Sequence, residues 1–347
     1  MFKLDIAGVK VIFSKFFAVG DREAVLAAIP QGTRRVVFID TPATPHLVAT
    51  VESLVSMEIE AVVRDHHNVS NPRNSREQEI HDAANHVREL IGGNATISNR
   101  QAHPACSGLI KVGEFADEGT VIVADPDPDG LTAAMKAVGV TYPELGSDAA
   151  VLDGPRAGQS AETLSPAAWT FVQAMATLPP FNSERPAISE EAKGKLFSEF
   201  AAAATGDTAA LDSLNRKVEA YEAGVREAEA IATTATESVT GVVLVDTVGK
   251  HRLDLATLAA KMEALPGCKV TVVRKDNGPI AAKHGGMQFS LAVIKAHQAE
   301  VNLQELLAPG FVSSPEAGII SNTTFLLHVS EAVWQEMVLP ALKAKFA

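Results

Sequence analysis

The sequence predicts an α/β protein: a doubly wound, mostly parallel sheet domain and a smaller mixed α/β domain joined by a helical segment. Three observations carry this. Short β-branched runs alternate with helix-patterned stretches through the first half, an Ala- and Glu-rich stretch follows, and a second set of short strands with fewer helices completes the chain. A chain of 347 residues has room for about two domains of roughly 100–200 residues each.

In order, "RRVVFID" (34–40), "EAVVRDHH" (60–67), "TVIVADPD" (120–127) and "AAVLDG" (149–154) read as buried strands because they are short, apolar and bounded by turn residues. "PHLVATVESLVSME" (45–58), "NSREQEIHDAANHVRELIGG" (74–93) and "GLTAAMKAVGV" (130–140) have helical spacing and Gly stops. After "TLPPFNSERP" the composition shifts, and 188–235 reads as helix. "TGVVLVD" (240–246), "KVTVVRK" (269–275), "MQFSLAVIK" (287–295) and "TTFLLHVS" (323–330) read as strands, with helix at "DLATLAAKMEAL" (254–265) and "LQELL" (303–307). The expected boundaries are 1–186 for the first domain, 187–236 for the helical linker and 237–347 for the second domain.

Composition narrows the function classes. No apolar run reaches the roughly 18 residues that span a bilayer, and the N-terminus lacks the pattern of a secretory leader, so a cytoplasmic protein is expected. Two cysteines, Cys106 and Cys268, cannot build a disulfide framework or a sulfur-rich metal site and read as buried thiols. A net charge of −12 argues against broad nonspecific binding to nucleic acid, which depends on neutralising many phosphates.

All four first-half strands end in Asp or Asp-His, and ligand sites in open α/β sheets lie beyond the carboxyl ends of strands. "DPDPDG" (125–130) has the opening of a calcium-binding EF-hand loop, but Lys136 stands where the loop needs a bidentate Glu, and a strand precedes it in place of a helix. Asp40, Asp65, His66, His67 and Asp153 close the other strands. Carboxylates crowded at one edge repel unless cations separate them, so divalent metals are the expected reason for the pattern. Oxygen-rich sites with one or two imidazoles suit Mn2+ or Mg2+. Paired ions serve phosphoester hydrolysis.

"RDHH" (64–67) at a strand end together with "ADPDPDGLT" (124–132) resembles the DHH phosphoesterase superfamily, in particular its RecJ-like members, and the C-terminal part resembles the DHH-associated substrate-binding domain. The order of motifs departs from the family: Asp40 and the Asp-His-His triplet precede the Asp ladder, which reads as a circular permutation of the catalytic domain. The resemblance implies two Mn2+ ions, with Mg2+ possible, held by Asp40 as the bridging carboxylate and by His66, Asp125, Asp127, Asp129 and Asp153. Asp125 is alternatively an outer acceptor, and Asp148 competes with Asp153. Within that set Asp40, His66, Asp127 and Asp129 are the catalytic assignments together with His67, which is expected to face the phosphate while Asp65 orients its neighbours. His103 and Ser107 stay outside the expected site.

In the second domain, Ser314 of "FVSSPEAG" (311–318) stands where the family places a histidine, and "FSLAVIK" (289–295) lacks the family's arginine. Substrate-contact candidates there are Arg274, Lys275, Lys283 and His284 around a glycine-rich turn, and Ser313 and Ser314. These features lead to the expectation of a metal-dependent phosphodiesterase acting on single-stranded nucleic acid ends or short oligonucleotides. The alternatives are a hydrolase of small nucleotides (a cyclic dinucleotide, a nucleoside bisphosphate or a polyphosphate) and a noncatalytic nucleotide-binding protein.

Overall fold

A computed structural model describes residues 1–15, 19–142, 144–154, 159–178, 186–250, 253–275, 287–311, 317–320 and 323–346. The chain opens with a hairpin of β1 (Phe2–Ile6) and β2 (Val9–Phe13), closed by Ala7 and Gly8 at φ 52° and 82°. Two successive positive φ values match the right-handed twist of the flanking strands. This hairpin is an addition to the strands read from the sequence.

Helix α1 (Val19–Ala28) is followed by β3 (Arg35–Ile39), α2 (Pro45–Ser56), β4 (Glu60–Asp65), α3 (Ser75–Ile91), β5 (Ala95–Ile97), β6 (Thr120–Ala124), α4 (Pro128–Ala137), α5 (Leu145–Leu152) and α6 (Pro166–Ala176). The six strands form one sheet in the order β1-β2-β6-β3-β4-β5, parallel throughout except for the β1–β2 pair. Alternate residues of each strand feed opposite faces, as the pleat requires. Val36 and Phe38 join Leu47, Val51, Leu54 and Val87 of α2 and α3, whereas Val37 and Ile39 join Leu131, Met135 and Phe171 of α4 and α6. Both faces are thus covered, which explains why these strands read as continuous apolar runs. From β3 the chain winds to β4 and β5 on one side, then returns to place β6 on the other. The reversal opens a crevice at the carboxyl ends of β3 and β6, where such sheets bind ligands.

One strand assignment is corrected. Residues 149–154 are not a strand: they belong to α5 and its C-terminal end. Leu145, Asp148, Ala149 and Leu152 are its buried residues, at the i, i+3, i+4, i+7 spacing of a helix face. A short apolar run does not separate a strand from a buried helix turn.

The stretch read as helix consists of α7 (Pro186–Ala204) and α8 (Thr208–Ala232). Two structural units are resolved, Met1–Val218 and Glu219–Ala347, so the boundary falls inside α8. The second unit contains β7 (Thr236–Val239), β8 (Val242–Asp246), α9 (Leu255–Glu263), β9 (Val270–Lys275), β10 (Met287–Val293), α10 (Leu303–Phe311), β11 (Ala317–Ile320) and β12 (Thr324–Val329). Its mixed sheet has the order β11-β12-β10-β9-β8-β7, with β8 and β9 parallel. Trp334 stacks on Phe289 in its core with ring centroids 4.2 Å apart. Among the described residues no helix is long and apolar enough to cross a membrane.

Candidate metal centre

Three strand ends of the first unit meet at the crevice. At the end of β3, Asp40 takes a left-handed backbone conformation, φ 55°, and its N–H donates to the Arg64 carbonyl at 2.9 Å. A non-glycine residue in that region is uncommon and is held only where neighbours impose it. β4 ends at Asp65 and leads directly into His66 and His67. Beyond β6 the chain crosses Asp125 and Pro126, and Asp127 caps α4 by accepting the Gly130 N–H at 2.8 Å. Pro128 occupies the first helical turn, where its missing N–H is harmless. That turn carries Asp129, which is fully buried. Gly130 is required by space: a Cβ there would collide with the Asp125 backbone carbonyl.

The imidazole of His66 sits between two buried carboxylates, its Nε2 3.1 Å from Asp40 Oδ1 and 3.3 Å from Asp129 Oδ2. Its Nδ1 lies 2.9 Å from the His103 carbonyl. A carbonyl only accepts, so Nδ1 carries the hydrogen and Nε2 presents a lone pair to the carboxylates. Asp40 Oδ1 and Oδ2, Asp129 Oδ1 and His66 Nε2 are buried without a hydrogen-bond partner. Leaving even one such group unsatisfied costs about 1–3 kcal/mol, and more when it is charged. Four converging acceptors need a shared positive charge, either a proton or a metal cation.

The electrostatics agree. Burial, reinforced by Asp127, Asp129, Asp65 and Asp125, pushes the Asp40 carboxyl well above the usual carboxylate range. Burial, with the charge of Asp127, raises Asp125 to about 7. Asp129 also rises to about 7 through burial, opposed by the Cys106 N–H that donates to its Oδ2 at 2.9 Å. Burial lowers His66, favouring the neutral form that a metal ligand requires. For His67 burial is the largest influence and disfavours charge, but the hydrogen bond to Asp65 Oδ1 at 2.7 Å together with the charges of Asp65 and Asp127 outweighs it, and its pKa is raised.

Ligand atoms of Asp40, His66 and His67 lie within 4.8 Å of one another, as do those of His66, Asp129 and Asp153. The two groups share His66 and supply carboxylate oxygens and imidazole nitrogen without a thiolate, a set that fits Mn2+ or Mg2+. Asp125 and Asp127 flank the groups without joining either. Asp153 enters from the end of α5, and burial raises its pKa. Asp148 is engaged elsewhere: it is buried and accepts the N–H and hydroxyl of Ser165.

Two contributions were not read from the sequence. Arg100 Nη2 donates to Asp153 Oδ1 and to His67 Nε2, each at 3.0 Å, so His67 is held between Asp65 and Arg100. The segment after β5 also supplies the His103 carbonyl and the Cys106 N–H that orient His66 and Asp129. The His103 ring instead meets Ser98 Oγ at 2.7 Å, and the Ser107 carbonyl accepts from Lys136. Backbone groups have no residue-type signature, and a three-residue β5 offers little pattern to reveal its position on this edge.

In the second unit, the Arg274 guanidinium pairs with Asp246 at 2.5 Å and Glu331 at 3.2 Å. Lys275 closes β9, and burial lowers its pKa. Lys283, His284, Ser313 and Ser314 lie outside the described residues.

No protein-family profile matches the chain, and no curated protein matches it. Among solved structures, a pGpG-specific phosphodiesterase, PggH, from Vibrio cholerae is similar at 13% identity and a TM-score of 0.40, over 90% of this chain and 98% of that one. The DHH domain of a protein described as a member of a family of ribosomal proteins is similar at 12% identity and a TM-score of 0.39, over 95% of this chain and 75% of that one. RecJ from Thermus thermophilus in complex with Mg2+ is similar at 13% identity and a TM-score of 0.34, over 94% of this chain and 51% of that one.

Proposed function

We propose that this chain is a divalent-metal-dependent phosphodiesterase of the DHH type, RecJ-like in its motifs and circularly permuted in its catalytic unit. The observation that carries the reading is the set of buried, unpartnered acceptors on Asp40, His66 and Asp129, which converge at the sheet's topological switch point. Asp40, His66, Asp129 and Asp153 are the residues we assign to hold two Mn2+ ions, with Asp125 and Asp127 of the same ladder as further ligands, and His67 lies beside Asp40. When bound, such ions supply water activation and charge neutralisation at phosphorus.

The chain's own residues prepare the rest. The His103 carbonyl fixes the His66 tautomer and directs its lone pair inward. Asp65 holds His67 by Nδ1, leaving Nε2 toward Arg100 and the incoming phosphate. Nε2 accepts from Arg100 while that contact holds; once the guanidinium turns to the phosphate, His67 can take a proton at Nε2 and donate it to a phosphoryl oxygen. The Arg100 guanidinium has further N–H groups for a second phosphoryl oxygen.

The substrates we assign are single-stranded nucleic acid ends and short oligonucleotides, with preference for the short ones. Arg274 is already paired with two carboxylates, and a chain with 5% aromatic residues has few stacking platforms for a long strand. Two buried free thiols fit work in a reducing cytoplasm. The test is hydrolysis of labelled single strands, two- to five-nucleotide oligomers, cyclic dinucleotides and pyrophosphate with Mn2+ and with chelator. His66→Ala and Asp40→Asn should retain the circular dichroism of the parent and lose turnover. Wild-type rates in both variants would sink the metal assignment.

A further inference from the structure

The turn after β5 is closed by a pair of side chains that no ligand assignment uses. Ser98 is anchored to the strand end that carries the histidines: its N–H donates to the Asp65 carbonyl at 2.7 Å, and its carbonyl accepts the Asn68 N–H at 2.9 Å. From there the chain makes one turn. The N–H groups of Ala102 and His103 donate to the Asn99 carbonyl at 3.1 and 2.9 Å, and Asn99 Oδ1 accepts the Ala102 N–H at 2.9 Å. Pro104 ends the turn, since it has no N–H with which to continue it. At the far end the His103 ring returns toward the start, and its Nδ1 lies 2.7 Å from Ser98 Oγ.

That pair closes a circuit around His66. Asp65 is joined to Ser98, Ser98 Oγ to the His103 ring, and the His103 carbonyl to His66 Nδ1 at 2.9 Å. A single turn holds itself poorly because helix nucleation is unfavourable, and Arg100, Gln101 and Ala102 are exposed to water that competes for the backbone groups. The Ser98–His103 bond is the side-chain link that ties the carbonyl's own residue to the strand end. The position of that carbonyl matters because His66 has a second place for its hydrogen. Asp40 Oδ1 is 3.1 Å from Nε2 and would accept a hydrogen there. An imidazole with its hydrogen on Nε2 has no lone pair facing Asp40 and Asp129, so it cannot hold a metal between them.

We propose that Ser98 and His103 are positioning residues: their side-chain bond holds the His103 carbonyl on His66 Nδ1 and so keeps the Nε2 lone pair turned toward the metal. Their role rests on the phosphodiesterase reading through the metal that His66 is to hold, and its test does not need turnover.

The test uses the full chain as Ser98→Ala, His103→Leu, the double variant and His103→Asn, whose amide places a polar atom where the ring has Nδ1. In chelator at about pH 8, where an ordinary histidine is neutral, long-range 1H–15N spectra should show wild-type His66 with its hydrogen on Nδ1 alone. Ser98→Ala and His103→Leu should show a mixture with the Nε2–H form, and His103→Asn should return the wild-type signal. Mn2+ titrations are run in the Arg100→Gln chain, where no guanidinium competes for Asp153. There Ser98→Ala and His103→Leu should each weaken Kd about tenfold, the lower end of the cost of losing a ligating imidazole's partner. The double variant should be no weaker than the worse single variant, as expected of one shared bond. Should Ser98→Ala fail to fold, the comparison of His103→Leu with His103→Asn decides by itself.

A wild-type His66 with its hydrogen on Nε2, an unchanged signal or Kd in the single variants, additive losses in the double variant, or no rescue by His103→Asn would each overturn the positioning role. So would a lower Tm with signal and Kd unmoved, the mark of a merely structural contact. Hydrolysis of the substrates named above is measured separately. No turnover with the expected tautomer and Mn2+ affinities would overturn the phosphodiesterase reading and leave the positioning role standing, whereas turnover with an unmoved His66 signal would overturn the positioning role alone.

Discussion

Asp129→Asn removes one charge from the carboxylate cluster while keeping its shape. The amide oxygen can still accept the Cys106 N–H, which now reaches Asp129 Oδ2 at 2.9 Å. In the metal-free chain the wild-type carboxyl titrates at about 7 against an ordinary 3.8. Because the folded value lies above the unfolded one, the folded chain binds the additional proton between these limits, and stability is lost as pH rises through about 7. A shift of about 3 units at about 1.4 kcal/mol each gives a ceiling near 4 kcal/mol at pH 8. Protonation shared with Asp40 and Asp125 reduces the part that belongs to Asp129 alone.

For a unit of this size each kcal/mol moves Tm by about 2–4 °C. Calorimetry in chelator should therefore show Asp129→Asn melting several degrees above wild type at pH 8 and close to it below pH 4. With Mn2+ the order should reverse, since the ion stabilises only the form that binds it. A variant that melts lower than wild type by the same margin at both pH values in chelator would refute the repulsive cluster and the metal assignment built on it.

Gly130→Ala places a Cβ against the Asp125 carbonyl; overpacking should destabilise the fold by about 1–3 kcal/mol in denaturant melts and weaken Mn2+ binding by displacing the ladder. Arg100→Gln frees Asp153 and His67 Nε2 from their shared donor; Mn2+ affinity measured by titration should rise while kcat falls, and an unchanged kcat would show that the guanidinium does not meet the phosphate. Finally, kcat/KM should be greater for short oligomers than for long single strands and fall steeply with salt on the long ones; rates that climb with length beyond about ten nucleotides and resist salt would reveal an extended binding groove.

Local pattern determined much of this protein. β-branched runs marked β3, β4 and β6, and an Asp or His immediately after such a strand sits at its carboxyl end. Asp40, His66 and the 125–129 ladder were legible for that reason, as was the doubly wound class. The helix-forming stretches of α2, α3 and α4 carried their own caps in Thr44, Asn74 and Asp127. Tertiary structure alone decided the rest. It placed β6 beside β3 and so brought the ladder to Asp40. It made 149–154 the end of α5, because the apolar spacing there serves a helix face, and still delivered Asp153 to the cluster. It brought Arg100, the His103 carbonyl and the Cys106 N–H to the same edge. The pleat and the helix period act over neighbouring residues and are written in residue type, whereas strand order and backbone donors depend on contacts between distant segments that carry no mark of their own in the sequence.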